Sequence, residues 1–210
     1  MATRTGIATR NAHKLRQIRR DVAAEAARIM ATEGQRNFRL AKQKAAERIG
    51  INSRRVLPSN IEVEKALRAY QGFFGGEQHA RQLEALRQTA SNVMRALDSF
   101  CPRLVGPVLD GTADCNSRIS IQLFNDPPDA VAIHLVEKGL TYHQEERKIR
   151  WHDGSYRLIP LLVADADGIE VELALLNCVD LRQAPPSPVD GRPQKRATLT
   201  EVECLLDRAC

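Results

Sequence analysis

The period of the apolar residues changes once along this chain, at Pro102, and that change restricts the folds open to it. Before Pro102 apolar side chains recur every three or four residues, the repeat of a helix with one buried face. After it they alternate, the repeat of a half-buried strand. The fold class this implies is α+β: an N-terminal helical region followed by a small mixed β-sheet with helices on one face.

Four helical segments precede the change. Ile18, Val22, Ala26, Ile29 and Met30 share one side of a helix over about 11–32, with Glu33-Gly34 as its stop. Phe38, Ala41, Ala45 and Ile49 do the same over 37–49, which ends at Gly50. Ser59 and Glu62 have capping-box spacing, so each side chain can satisfy an orphan amide at the start of a third helix carrying Val63, Leu67, Tyr70 and Phe74. Gly75-Gly76 interrupts, and a fourth helix is expected over 77–100. Its Leu83, Leu86, Ala90, Val93, Leu97 and Phe100 form a short heptad seam, which suits core packing or a partner helix.

In the second half, Ile119, Ile121 and Leu123 alternate in a strand over 118–124. Pro127-Pro128 leads into a helix ending near Gly139, with Val131, Leu135 and Val136 turned inward. Strands are expected at 141–151, 156–165 and 169–176, divided by the turn sequences His152-Asp153-Gly154 and Asp165-Ala166-Asp167-Gly168. The stretch 183–196 is proline-rich and extended, with Asp190-Gly191-Arg192 forming a plain turn or covering the sheet edge or a cleft; a helix over 200–207 closes the chain.

With 210 residues the chain can bury roughly 70% of its unfolded surface, enough for a core without staples. Residues 1–103 hold 20 Lys+Arg against 9 Asp+Glu, and residues 104–210 hold 11 against 17. A basic half and an acidic half suggest two modules, with a boundary at 75/76: a basic helical region over 1–75 and an α+β domain with a proline-rich tail over 76–210. Mutual attraction of the two halves accounts for the asymmetry equally well. Cys101, Cys115, Cys178, Cys204 and Cys210 are odd in number and lack a CxxC pair, and the histidines are scattered, so neither zinc nor a disulfide framework is indicated. A reducing cytoplasm is the expectation. No apolar run approaches the ~20 residues of a membrane span, and the arginine-rich N-terminus has no apolar stretch of the secretory kind.

The segment RLVGPVLDGTADCNSRISIQLF, residues 103–124, carries the chemistry. A strand enters a turn at Val105-Gly106, a second turn of small residues follows at Gly111-Thr112-Ala113, and a strand then begins Ser117-Arg118-Ile119-Ser120. This spacing resembles the active-site segment of the nucleotidyltransferase superfamily, and the likeness extends over roughly 85–176. In that family the strand begins Ser-Asp-hydrophobic-Asp, and the two aspartates with a third carboxylate on a later strand hold two divalent ions. Here the aspartate positions are Arg118 and Ser120, and the position after the first glycine, often a phosphate-holding serine, is Pro107.

The resemblance implies a nucleotidyltransferase-like fold that is catalytically degenerate and binds nucleotide, RNA or a protein partner without turnover. Gly106, Gly111 and Thr112 would let backbone amides approach phosphate, with Ser117 beside them. The Arg118 guanidinium would replace an ion by binding phosphate directly, or would pair with an acid such as Asp110 or Asp114. No cofactor is indicated; Mg²⁺ enters only in the alternative of an active transferase with ligands drawn from Asp110, Asp114, Glu170 and Glu172. A third alternative is an adaptor that engages a protein partner through the Leu83–Phe100 helix. Nucleic-acid binding through Arg19, Arg20, Arg36, Arg39, Lys42 and Lys44 competes with the ordinary role of helix charges as a solvated face. Oligomeric state is not encoded in any motif.

Overall fold

The computed structural model describes residues 4–207 apart from 52, 54, 55 and 115, with side chains from residue 12 onward. Cys115 and Cys210 therefore lie outside the described residues. The chain divides into two compact units, Met1–Gly76 and Glu77–Cys210.

The first unit is built from α1 (Arg4–Glu33), α2 (Phe38–Ile49) and α3 (Asn60–Phe74). Val22, Ala26, Ile29, Ala41, Ala45, Val63 and Leu67 form its core, all at most 5% exposed, and the alanines let the helix axes approach closely. Asn37 caps α2 by accepting from the amides of Arg39 and Leu40, and Gly50 ends it in the left-handed region at φ +77°. The Ser59–Glu62 capping box at α3 has both of its hydrogen bonds. Glu33, at the end of α1, accepts from Lys44 at 2.5 Å and Arg48 at 2.7 Å on α2.

Those bonds, Lys44 first, hold the Glu33 carboxyl down at about 2, against 4.5 for a free glutamate. A depressed carboxyl stabilises the fold above the unfolded value and loses that contribution as pH falls through the folded one. Glu33→Gln is therefore expected to remove part of the acid destabilisation between about pH 4.5 and 2, read as a flatter dependence of the melting temperature on pH.

All but the first residue of α4 (Gly76–Ala96) belongs to the second unit, and the helix stops four residues short of the expected end; a 3₁₀ turn, Asp98–Phe100, carries the chain into the sheet. The strands are β1 (Arg103–Val105), β2 (Ile119–Phe124), β3 (Tyr142–Arg150), β4 (Tyr156–Ala166) and β5 (Ile169–Leu176). A four-residue helix, α5 (Pro107–Asp110), falls between β1 and β2, too short to leave a periodic signal. α6 (Ala130–Glu137) follows β2, and α7 (Leu199–Asp207) ends the described chain.

The sheet order is β1-β2-β5-β4-β3; β2 and β5 are parallel and the other pairs antiparallel. Ile119, Ile121, Leu123 and Leu173 point to one face, where they pack with Leu86, Ala90 and Met94 of α4, Val131 and Leu135 of α6 and Val202 of α7. Leu86, Ala90, Leu97 and Phe100 of the heptad seam are all buried in this core, and Leu83 and Val93 pack against it partly buried. The opposite face carries Phe124, Ile159, Leu161 and Leu176 as a smaller cluster, and beside it the polar residues of a cleft.

Candidate functional site

Alternation along β2 sends Ser120, Gln122 and Phe124 to the face opposite the helices, and that face is where the second unit is concave. β3 and β4 stay paired out to Arg150 and Tyr156, whereas β4 and β5 stop pairing at Leu161 and Ala174, so the outer hairpin runs on past β5 as an arm. After β5 the proline-rich segment doubles back through the Pro186–Pro193 bridge, with Ser187 N donating to Arg192 O at 2.7 Å. Sheet, arm and proline-rich hairpin enclose a cleft of about 620 Å³.

Ser120 and Glu172 sit side by side on its floor, at paired positions of parallel β2 and β5. Gly106 adjoins them: with φ +73° it turns β1 into α5, and a Cβ there would stand 4.0 Å from that of Ser120. Glu172 is 2% exposed and accepts from Arg147 Nη2 at 2.5 Å, while the Arg147 side chain is 50% exposed at the rim. Pro185, Pro186, Ile149, Leu161 and Trp151 supply apolar wall. Trp151 is backed by the Arg157 guanidinium, 3.9 Å above its ring.

The proline-rich hairpin is tied down at both feet. His152 Nε2 meets the Ala184 carbonyl at 2.6 Å, and since a carbonyl only accepts, that nitrogen carries the proton. At the other foot Arg196 Nε donates to Gln122 Oε1 at 2.6 Å, and Gln122 Nε2 donates to Gln194 Oε1 at 3.1 Å. Burial, the dominant influence on Arg196, pushes its guanidinium down to about 10. Its Nη1 donates to the carbonyls of Asp180 and Leu181, and its plane lies 4.8 Å from the Phe124 ring.

The residues expected from sequence divide between this cleft and other surroundings. Ser120 and Glu172 are brought together there, with Gly106 beside Ser120 at the edge of the lining. Gly111, also left-handed at φ +79°, faces α4 instead, 3.7 Å from Leu83 by its would-be Cβ, and its carbonyl meets His79 Nε2 at 3.3 Å. Thr112 follows it, its amide bonded to the Pro107 carbonyl. Ser117 closes a local turn with Asp114, hydroxyl to carboxylate at 2.7 Å. Asp110 closes α5.

Arg118 turns to the sheet's own acids. Its Nε donates to Glu170 at 2.7 Å and its Nη1 to Glu145 at 3.0 and 3.1 Å. Those bonds, Glu170 before Glu145, raise the Arg118 guanidinium further above its ordinary range, and Arg118 in turn lowers Glu145. Neither Asp110 nor Asp114 is its partner in these bonds. A phosphate at Arg118 would compete with two carboxylates already in place.

Mg²⁺, which the resemblance implies for transfer, does not fit these residues. A hard ion of this kind takes about six oxygens. The cleft floor offers one carboxylate, and Arg147 already occupies it. Among the described residues no three His, Cys, Asp or Glu side chains converge as ligands.

In the first unit, Arg19 pairs with Glu62 at 3.1 Å, Lys44 with Glu33, and Lys42 donates to Asn60 at 2.7 Å and to the Pro58 carbonyl. Three of the six candidate nucleic-acid contacts thus hold the bundle together. Arg20, Arg36 and Arg39 stand exposed. No helix among the described residues is long and apolar enough to cross a membrane.

Gln122, Arg147, Trp151 and Gln194 were absent from the sequence reading as site residues. The signal for Gln122 was an amide at an otherwise apolar strand position; for Gln194 it was the run of prolines around a turn. Compared with known proteins, the chain matches no family model, no curated protein and no solved structure.

Proposed function

We propose that the second unit is a nucleotidyltransferase-like module that uses its cleft to bind a nucleotide without turning it over. The observation that carries this reading is the cleft floor, where Ser120 and Glu172 lie side by side next to the Gly106 turn. The resemblance asks for a short strand entering a glycine turn, a strand bearing the metal-binding pair, and a later strand bringing a third carboxylate alongside. β1, β2 and β5 supply such a frame, with Glu172 as the carboxylate and Arg118 and Ser120 in place of the pair. Apolar walls of proline, isoleucine and tryptophan suit a planar base, and the half-exposed Arg147 suits a phosphate oxygen.

Calorimetric titration of the full chain with ATP, GTP and UTP, in EDTA and in Mg²⁺, tests it. Saturable binding in EDTA, no pyrophosphate release, and loss of binding in Ser120→Trp are the expected results. Pyrophosphate released only with metal would restore the transferase alternative, and absence of binding by every nucleotide would remove the nucleotide reading.

A further inference from the structure

We propose that the cleft selects nucleotides whose base presents a keto oxygen where adenine presents its amino group, guanine O6 or uracil O4, over adenine, and that Gln194 makes the selection. This rests on the nucleotide-binding reading above. Its basis is the direction of a hydrogen-bond chain. A guanidinium can only donate, so the Gln122 atom that meets Arg196 Nε at 2.6 Å is the amide oxygen. The Gln122 nitrogen is then the atom facing Gln194, and it donates to Gln194 Oε1 at 3.1 Å. Gln194 has its oxygen engaged, and its side-chain nitrogen carries no hydrogen bond within the described chain.

The chain cannot reverse. A flipped Gln122 would set its NH₂ against the guanidinium, and at 4% exposure it has little access to water for repair. Arg196 is itself fixed by two backbone carbonyls and by the Phe124 ring. The surplus group that Gln194 brings to the cleft is therefore a donor. Ser120, whose hydroxyl has no partner within the described chain, adds one that can rotate, and Glu172, the only carboxylate among the described lining residues, is engaged by Arg147. A keto oxygen of guanine or uracil accepts from Gln194 directly; adenine sets its exocyclic NH₂ against that donor at the same edge position, and can bond it only by shifting until ring N1 or N7 accepts.

Competition titrations on the full chain with GTP, UTP and ATP test this. GTP and UTP are expected to bind about tenfold more tightly than ATP. Gln194→Glu keeps the oxygen that Gln122 needs and replaces the donor by an acceptor, so it is expected to shift the preference toward ATP. Gln194→Met should level the three affinities; it also takes the acceptor from the buried Gln122 amide, so its circular-dichroism melt is expected to fall slightly while the folded-state spectrum stays that of the native chain. Equal binding of the three nucleotides by the native chain, or a preference that survives in Gln194→Glu, overturns the selection while leaving nucleotide binding intact. Failure of all three to bind overturns both readings.

Discussion

Phe124→Ala is expected to destabilise the sheet unit by about 3–5 kcal/mol. Phe124 is 2% exposed and packs with Ile159, Leu161 and Leu176 on the face that carries the cleft. Truncation removes the transfer free energy of the ring and leaves a void that a sheet pinned on both sides fills poorly. It also takes away the ring beside the Arg196 guanidinium, which burial already pushes down to about 10. Arg196 holds Gln122 and, through it, the foot of the proline-rich hairpin, so loosening should reach the cleft wall. Urea unfolding reads the effect as a lowered midpoint with an unchanged slope. Ile133→Ala, at a position 59% exposed, serves as the control and is expected to stay within about 0.5 kcal/mol of the native chain. A Phe124→Ala effect as small as the control's would mean that this face does not pack as a dry second core.

Local rules carried the sequence reading a long way. The three- and four-residue spacing placed α1 to α4, the Ser59–Glu62 pair marked the start of α3, and strict alternation placed β2 with its apolar side toward the helices. All of these depend on neighbours within one turn or one strand. The partners of Arg118 did not. Glu145 lies 27 residues and Glu170 52 residues away, and the pairing registers of β2 with β5, β5 with β4 and β4 with β3 bring them within reach. Register is a tertiary quantity, set by which faces are buried together, and a single strand's pattern does not disclose it. The same holds for Arg147 and Glu172, joined across β4, and for the docking of the proline-rich hairpin over the sheet. α5 was missed for a different reason: four residues make barely one turn, below the length at which periodicity can be seen. The frame of the candidate site was thus legible as a linear motif, while the residues that line its walls were not.

Arg147→Ala is expected to cost about 2–3 kcal/mol and to separate the structural from the ligand-binding role of that arginine. The Glu172 carboxylate is 3% exposed, between strands whose neighbouring side chains are largely apolar, and Arg147 is the cation bonded to it. Forming such a pair adds little net stability, because both ions shed water to make it. Removing one member is costly because the other remains buried without compensation. The expected loss lies below the usual range for a wholly buried pair since Arg147 is 50% exposed and its charge is partly screened. Glu172→Gln removes the charge while keeping the shape, so the double variant Arg147→Ala with Glu172→Gln should recover most of the stability. A double variant as unstable as the single one would show that the cost lay in lost packing of the arginine stem rather than in an orphaned carboxylate. Nucleotide affinity should follow a different course. If the Arg147 guanidinium takes the phosphate, binding falls in the single variant and stays low in the double one, although the fold has been restored.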